Sequence, residues 1–249
     1  MTKKYYFKSL QFILVSLLLF ALASCKKDKS NNSPATATPT KLGLYEVDSS
    51  IYKLLYIGVI KIGTNTLSTT DLIFDTGSGG MVVDATGLIP ASMITNSGFN
   101  FTGDSTVVNG ITITNQQSIV EYGSDSSSST KVYGNLAYAP VTIGDQQKGN
   151  ITIKRLPFFL YYKGVDAGGI KQPVHYFDVM GVSPQYDIVF ANNEYITSPF
   201  SYFDPGTGLT KGFKMAALGT SKFSLNGTFV PDVITLGLTA ADLSTSSGF

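Results

Sequence analysis

The chain has 249 residues, enough for one large all-β domain or two smaller ones. Hydrophobic residues make up 43% and charged residues only 14%, a balance that suits a β-rich exported protein better than a cytosolic enzyme. The formal net charge of +1 leaves no basic footprint of the kind nucleic-acid binding needs.

At the N-terminus, Lys3, Lys4 and Lys8 precede an apolar run from Leu10 to Ala23. The run is short for a membrane span and is flanked as a cleaved signal is. It ends in Leu22-Ala23-Ser24-Cys25, which resembles the bacterial lipobox, and Cys25 is the only cysteine. The resemblance implies a lipoprotein signal over residues 1–24 and acylation of Cys25. It also implies attachment to the cell envelope, on the periplasmic face or the outer surface, through more than one acyl chain. Without a second cysteine no internal disulfide can form, so the core must hold the fold together. Residues 25–44 are mostly polar, with Pro, Ser, Thr and Asn, and read as a flexible tether.

From Tyr45 onward, short apolar runs alternate with turn residues, which predicts strands. The stretch Leu54 to Gly63 is one, and Thr69 to Asp75 is a second that runs into the aspartate. Asp75-Thr76-Gly77-Ser78 sits between apolar runs, and a carboxylate placed there loses hydration unless hydrogen bonds compensate. Asp84, after the next apolar run, is expected to face solvent. Residues 110–123 and 132–144 flank the polar run 124–130 and predict a long hairpin. Residues 150–162 predict a strand pair or one long bent strand; Phe158, Phe159, Tyr161 and Tyr162 could line a sugar or peptide groove, but strand spacing favours half in the core and half on the surface. Val174 to Asp178 reads as a strand leading into the apolar Val179-Met180-Gly181-Val182. The stretches Met93 to Phe99 and Tyr186 to Tyr195 could each form at most a short helix. Residues 221–228 and 233–238 suggest further strands. His175 is the only histidine, so no metal-ligand cluster and no histidine-assisted serine nucleophile is expected.

The order of these features resembles the N-terminal lobe of a pepsin-like aspartic peptidase. Gly63 matches the glycine turn before the family's Asp-Thr-Gly-Ser motif, which Asp75 to Ser78 supplies. Tyr122-Gly123 matches its flap, and Val179-Met180-Gly181 matches the hydrophobic-hydrophobic-Gly segment that threads beside the motif. Ser198-Pro199-Phe200 and the tail from Ile234 continue the likeness. The resemblance implies an all-β fold: one complete pepsin-like lobe, double-psi β-barrel-like, over residues 45–195, then an interlobe segment and the start of a second lobe over 196–249. It implies an aspartic endopeptidase acting on extended peptide or protein substrates, with no cofactor and no metal. Asp75 would be one of two catalytic carboxyls. Repulsion keeps one of such a pair protonated and the other ionised, so the pair can activate water and polarise a carbonyl. Thr76 would point towards the partner lobe, Gly77 would let its N–H reach the carboxylate, and Ser78 would orient it. Tyr122, at the flap tip, would close over substrate. The flap departs from the family pattern, with Ser124-Asp125 after Gly123 and Asp125 shifted by one.

A second Asp-Thr/Ser-Gly does not occur in the sequence. Asp204-Pro205-Gly206 is the nearest imitation, but Pro205 removes the backbone donor after the acid, so it reads as a surface turn. Asp178 is expected to be structural. The second carboxyl must come from a second lobe or from a second copy, as in homodimeric single-lobe peptidases. The tail, resembling the opening of a second lobe, favours an incomplete chain. The alternatives from other classes are a pepsin-fold lipoprotein that captures peptide, glycan or a foreign enzyme without catalysis, and an unrelated β-sandwich surface lipoprotein in which Asp75 is a turn residue.

Overall fold

The computed structural model describes residues 36–48, 51–123, 128–145, 149–219 and 223–245. Cys25, the expected signal segment and Asp125 lie outside the described residues. In chain order the strands are β1 (Thr40–Asp48), β2 (Lys53–Ile62), β3 (Asn65–Asp75), β4 (Gly79–Asp84), β5 (Ile94–Thr95), β6 (Gly98–Phe99), β7 (Ser105–Val108) and β8 (Ile111–Tyr122). They continue as β9 (Thr130–Asp145), β10 (Gly149–Val165), β11 (Val179–Val182), β12 (Ile188–Val189), β13 (Tyr195–Ile196), β14 (Thr210–Met215) and β15 (Thr228–Leu238), followed by a short helix, α1 (Ala240–Thr245). The class is all-β, as composition and alternation predict. Among the described residues no helix is long and apolar enough to cross a membrane.

Eleven strands form one sheet in the order β14-β15-β1-β2-β3-β11-β4-β10-β9-β8-β7. A further pairing of β2 with β9 closes the stretch from β2 to β9 into a ring. Closure removes free edges there, so the ring's backbone groups find partners within it. Strand β11 arrives late in sequence yet lies between β3 and β4, parallel to the first and antiparallel to the second. Two strands joined by a tight loop and split by a third form a ψ-shaped knot. In its register, Gly181 lies opposite Asp75 on one side and Gly80 on the other.

The central strands are buried on both faces, and the period of two explains how. Met81, Val83, Phe158, Leu160 and Met180 face one apolar cluster. Their neighbours Val82, Phe159, Tyr161 and Val179 face another, with Leu136, Phe177, Phe190 and Ile196. Continuous apolar runs are what doubly covered strands need. This corrects the expectation that the aromatics of β10 would be half exposed: Phe158, Phe159 and Tyr161 are all buried, and only Tyr162 is partly open.

Four other expectations are corrected. The tether does not extend to residue 44, because β1 begins at Thr40 and fully buries Leu42 and Leu44. The segment after residue 196, expected as an interlobe stretch and the start of a second lobe, joins the main sheet: β15 pairs with β1 and buries Val233, Ile234 and Leu236 in the same cluster as Leu42. Val174 to Phe177 is a turn rather than a strand, with His175 in the left-handed region at φ 60°. The two stretches expected as short helices instead hold small hairpins, β5–β6 and β12–β13, with a single 3-10 turn at Ala91–Met93. In both hairpins a tight turn between β-branched and aromatic residues outweighs helical spacing. Residues 150–162 belong to one long strand, bent by register shifts against β9 between Ile153 and Leu156 and between Tyr161 and Lys163. The region of residues 221–228 supplies an isolated bridge from Ser224 to Val47 before β15 begins.

Candidate active site

Strand β3 carries Asp75 to the end of the ψ knot, and the chain turns back at once into β4. The half-buried Asp75 carboxylate is held at both oxygens. The Gly77 N–H donates to Oδ1 at 2.8 Å, and the Ser78 hydroxyl donates to Oδ2 at 2.6 Å. Bonds to an ionised acceptor are short and about twice as strong as neutral ones, and two together fix the plane of the group. Thr76 and Gly77 are exposed, so one side of the carboxyl remains open.

Strand β11 braces this loop. The Ser183 N–H donates to the Ser78 carbonyl at 2.9 Å, and the Ile73 N–H donates to the Asp178 carbonyl at 3.0 Å. Gly181 has no room for a side chain: a Cβ there would stand 2.7 Å from the Ser78 carbonyl oxygen and 2.8 Å from that of Gly80. Val179, Met180 and Gly181 are all buried. The loop also has an anchor that the sequence did not announce. The Gly79 N–H donates to Asp187 Oδ2 at 2.6 Å. Asp187 follows Pro184-Gln185-Tyr186, inside the stretch expected to form at most a short helix.

The β8–β9 hairpin forms as predicted, with Tyr122 opposite Thr130 near its tip. The Tyr122 ring stacks on Phe177, centroids 5.5 Å apart and planes 9° from parallel. Burial pushes the Tyr122 phenol well above its ordinary pKa, and the Asp75 and Asp178 carboxylates push it further the same way. The hydroxyl therefore stays protonated within the field of Asp75. Gly123 follows at φ 135°, where a Cβ would press to 2.9 Å from the Ser129 Cα, so glycine is required at this bend.

Beneath Phe177 lies a polar support. Asp84 is buried, not solvent-facing: its Oδ1 accepts the Thr86 N–H at 2.8 Å and its Oδ2 the His175 N–H at 3.0 Å. Its own N–H donates to Asp178 Oδ1 at 2.8 Å. His175 Nδ1 sits 2.8 Å from Asp178 Oδ2, and the Tyr161 hydroxyl accepts the Phe177 N–H at 3.3 Å. Asp178 is structural in placement, as expected. Burial raises its pKa, while the Asp84 N–H and His175 pull it partway back. The strand-end position of Asp84 misled because a charged residue after an apolar run usually marks an exit to water. Here the next turn folds over it.

Asp204 is exposed and its Oδ1 accepts the Gly206 N–H at 3.0 Å, the surface turn that Pro205 implies. Among the described residues no group of three or more His, Cys, Asp or Glu could hold a metal ion. Asp75, Gly77, Ser78, Tyr122 and the Val179–Gly181 segment are thus brought together around one open carboxyl. No family model matches the chain, and neither the curated proteins nor the solved structures include a match to it.

Proposed function

We propose that the chain is the catalytic-aspartate lobe of a pepsin-like aspartic endopeptidase. The observation that carries the reading is the two-point grip on Asp75 by the Gly77 N–H and the Ser78 hydroxyl. It sits beside the glycine of an inserted strand, with a hairpin tyrosine whose phenol feels the carboxylate. A turn acid with no chemistry to do needs no orienting serine.

In this reading Asp75 shares a proton with a second carboxyl, supplied by a second lobe or a second copy of the chain. The ionised member takes a proton from a water molecule, whose oxygen attacks the scissile carbonyl carbon. The protonated member gives its proton to the carbonyl oxygen. The first carboxyl then hands the proton it took from water to the nitrogen while the second takes a proton back from a hydroxyl of the tetrahedral adduct, so the C–N bond breaks, the acid and amine leave, and the pair again holds one proton. The pair titrates as a unit, so neither member owns the proton. An extended peptide would lie under the β8–β9 hairpin with strand-like backbone bonds, and Tyr122 would exclude water above it.

The matching cellular reading is a lipid-anchored envelope protein held by acylated Cys25. Fatty-acid labelling that disappears in Cys25→Ser is the expected result.

The decisive assay is cleavage of a fluorogenic peptide library, with sedimentation measured alongside to identify the source of the second carboxyl. Asp75→Asn should lower turnover by at least about a thousandfold and abolish binding of a statine-type hydroxyl inhibitor. Turnover that survives Asp75→Asn overturns the proposal.

A further inference from the structure

A second open pocket, of about 440 Å³, lies where the outer face of β9 and β10 meets the β12–β13 hairpin. Tyr138, Arg155, Asn193, Glu194, Tyr195 and Tyr202 line it. None of these residues belongs to the Asp75 site.

The pocket is built rather than incidental. Arg155 is the only arginine of the chain, beside many lysines. It occupies the register break of β10 between Ile153 and Leu156, a distortion of the kind that re-aims a side chain. Its guanidinium lies 3.7 Å from the centroid of the Tyr138 ring. The Tyr138 hydroxyl in turn donates to Glu194 Oε2 at 2.9 Å. Arg155 forms no ion pair among the described residues; it also hydrogen-bonds the Tyr138 side chain, and the exposed remainder of its planar fork faces the pocket.

The opposite wall is fixed in advance. The Phe190 ring is buried in the second apolar cluster, and its backbone closes a tight turn with Asn193 and Glu194. Asn193 takes φ 63° there. Ser118 Oγ donates to the Val189 carbonyl at 2.6 Å and the Ala191 N–H to the Gln117 carbonyl at 3.1 Å, tying this hairpin to β8. The turn thus presents Tyr195, 51% exposed, with its ring braced by Tyr186 at 4.1 Å between centroids. Tyr202 lies close enough for Tyr195 and Tyr186 to raise its phenol further, after burial. Ordering such loops before binding removes an entropic cost from the binding step.

The chemistry of the lining selects the ligand. Exposed tyrosine faces offer flat, electron-rich platforms with a polar tip. One cation and one anion, Arg155 and Glu194, balance each other, so a strongly charged ligand gains on one side what it loses on the other. Together with Asn193 they offer donors and acceptors side by side. That combination suits a neutral ligand with an apolar C–H face and a rim of hydroxyls that both donate and accept. We propose that this pocket binds a neutral pyranose unit of an oligosaccharide, with Tyr195 as the stacking platform and Arg155, Asn193 and Glu194 as its hydroxyl partners. The proposal is independent of the peptidase reading.

The test is isothermal titration of the full chain with cello-, xylo-, manno- and malto-hexaose, and with an acidic hexapeptide as the competing class. At least one hexasaccharide should bind. Tyr195→Ala and Arg155→Lys should each weaken that binding by roughly tenfold or more, while Tyr195→Phe keeps it. Val107→Ser, on exposed β7, should leave it unchanged. Because Tyr195 and Arg155 are exposed, circular dichroism of both variants should match the parent, and if one misfolds the other reads the same pocket. No heat with any hexasaccharide, binding that survives both substitutions, or preference for the acidic peptide overturns the proposal.

Discussion

Tyr122 and Phe177 stack nearly parallel, 5.5 Å between centroids, and this pair joins the β8–β9 hairpin to the turn that leads into the ψ knot. Phe177 is 7% exposed and also meets Tyr161 and Tyr176 edge to face. The hairpin tyrosine is therefore positioned by a residue from a distant part of the chain. Phe177→Ala should cost about 3 kcal/mol of stability, the usual result of emptying a buried aromatic site. Hydrogen exchange at Val120 to Tyr122 should accelerate by more than the global loss accounts for. Exchange that rises uniformly across the sheet would mean the stack does not position the hairpin.

Ser78→Ala removes the bond to Asp75 Oδ2 and leaves the Gly77 N–H as the remaining support. A hydrogen bond to a charged group contributes about 1.5–3 kcal/mol, so on the proposed peptidase reading turnover should fall roughly ten- to a hundredfold. Ser78→Thr, which keeps the hydroxyl, should recover part of it. The quantity to read is kcat separately from KM, because on that reading the serine orients the acid without touching the peptide.

Gly181→Ala should be among the most damaging single-methyl additions in the molecule. The new Cβ would meet backbone oxygens of Ser78 and Gly80, and neither can move without opening the knot. A loss of about 3 kcal/mol or more is expected, the upper end of overpacking. Gly87→Ala is the internal control. It has φ 81° but nothing within 4 Å of the new methyl, so it carries only the cost of the left-handed backbone, about 1 kcal/mol. Urea midpoints of the two variants, compared with equal slopes, check the difference.

Burial raises the pKa of Asp178 above its ordinary 3.8, so the folded protein holds this proton to higher pH than the unfolded chain does. Its contribution to stability is present below about pH 4 and is lost as pH rises through the folded value. Asp178→Asn keeps an oxygen for the Asp84 N–H and cannot ionise. Its stability relative to the parent should therefore improve progressively as pH rises from about 4 to 7. Urea unfolding at several pH values reads this directly, and a pH-independent difference contradicts it.

The sequence carried the parts of the site that rest on local chemistry. Asp75, Gly77 and Ser78 lie within four residues, and their hydrogen bonds follow from that spacing. The hairpin around Tyr122 and the short apolar strand that holds Gly181 are legible from alternation and turn residues. What was hidden rests on contacts between distant segments. Asp84 is buried because residues 174–177 turn over it, and Asp187 matters because β11 places it beside Gly79. Phe159 and Tyr161 are covered because β10 runs through the middle of a closed sheet with apolar clusters on both faces. The start of β1 is not legible because Thr40 and Lys41 follow a Thr- and Pro-rich stretch, and only the pairing with β15 draws Leu42 and Leu44 inside.

That last pairing constrains how the molecule is made. Thr40 stands opposite Leu236 and Glu46 opposite Thr228, so strands formed near the two ends of the domain must zip together. Of the described strands, the first has no partner along that side until most of the described residues have emerged. Closing such a span is slow compared with forming the β8–β9 hairpin. During that interval Leu42 and Leu44 are exposed, a nascent-chain vulnerability that holdase chaperones are suited to cover.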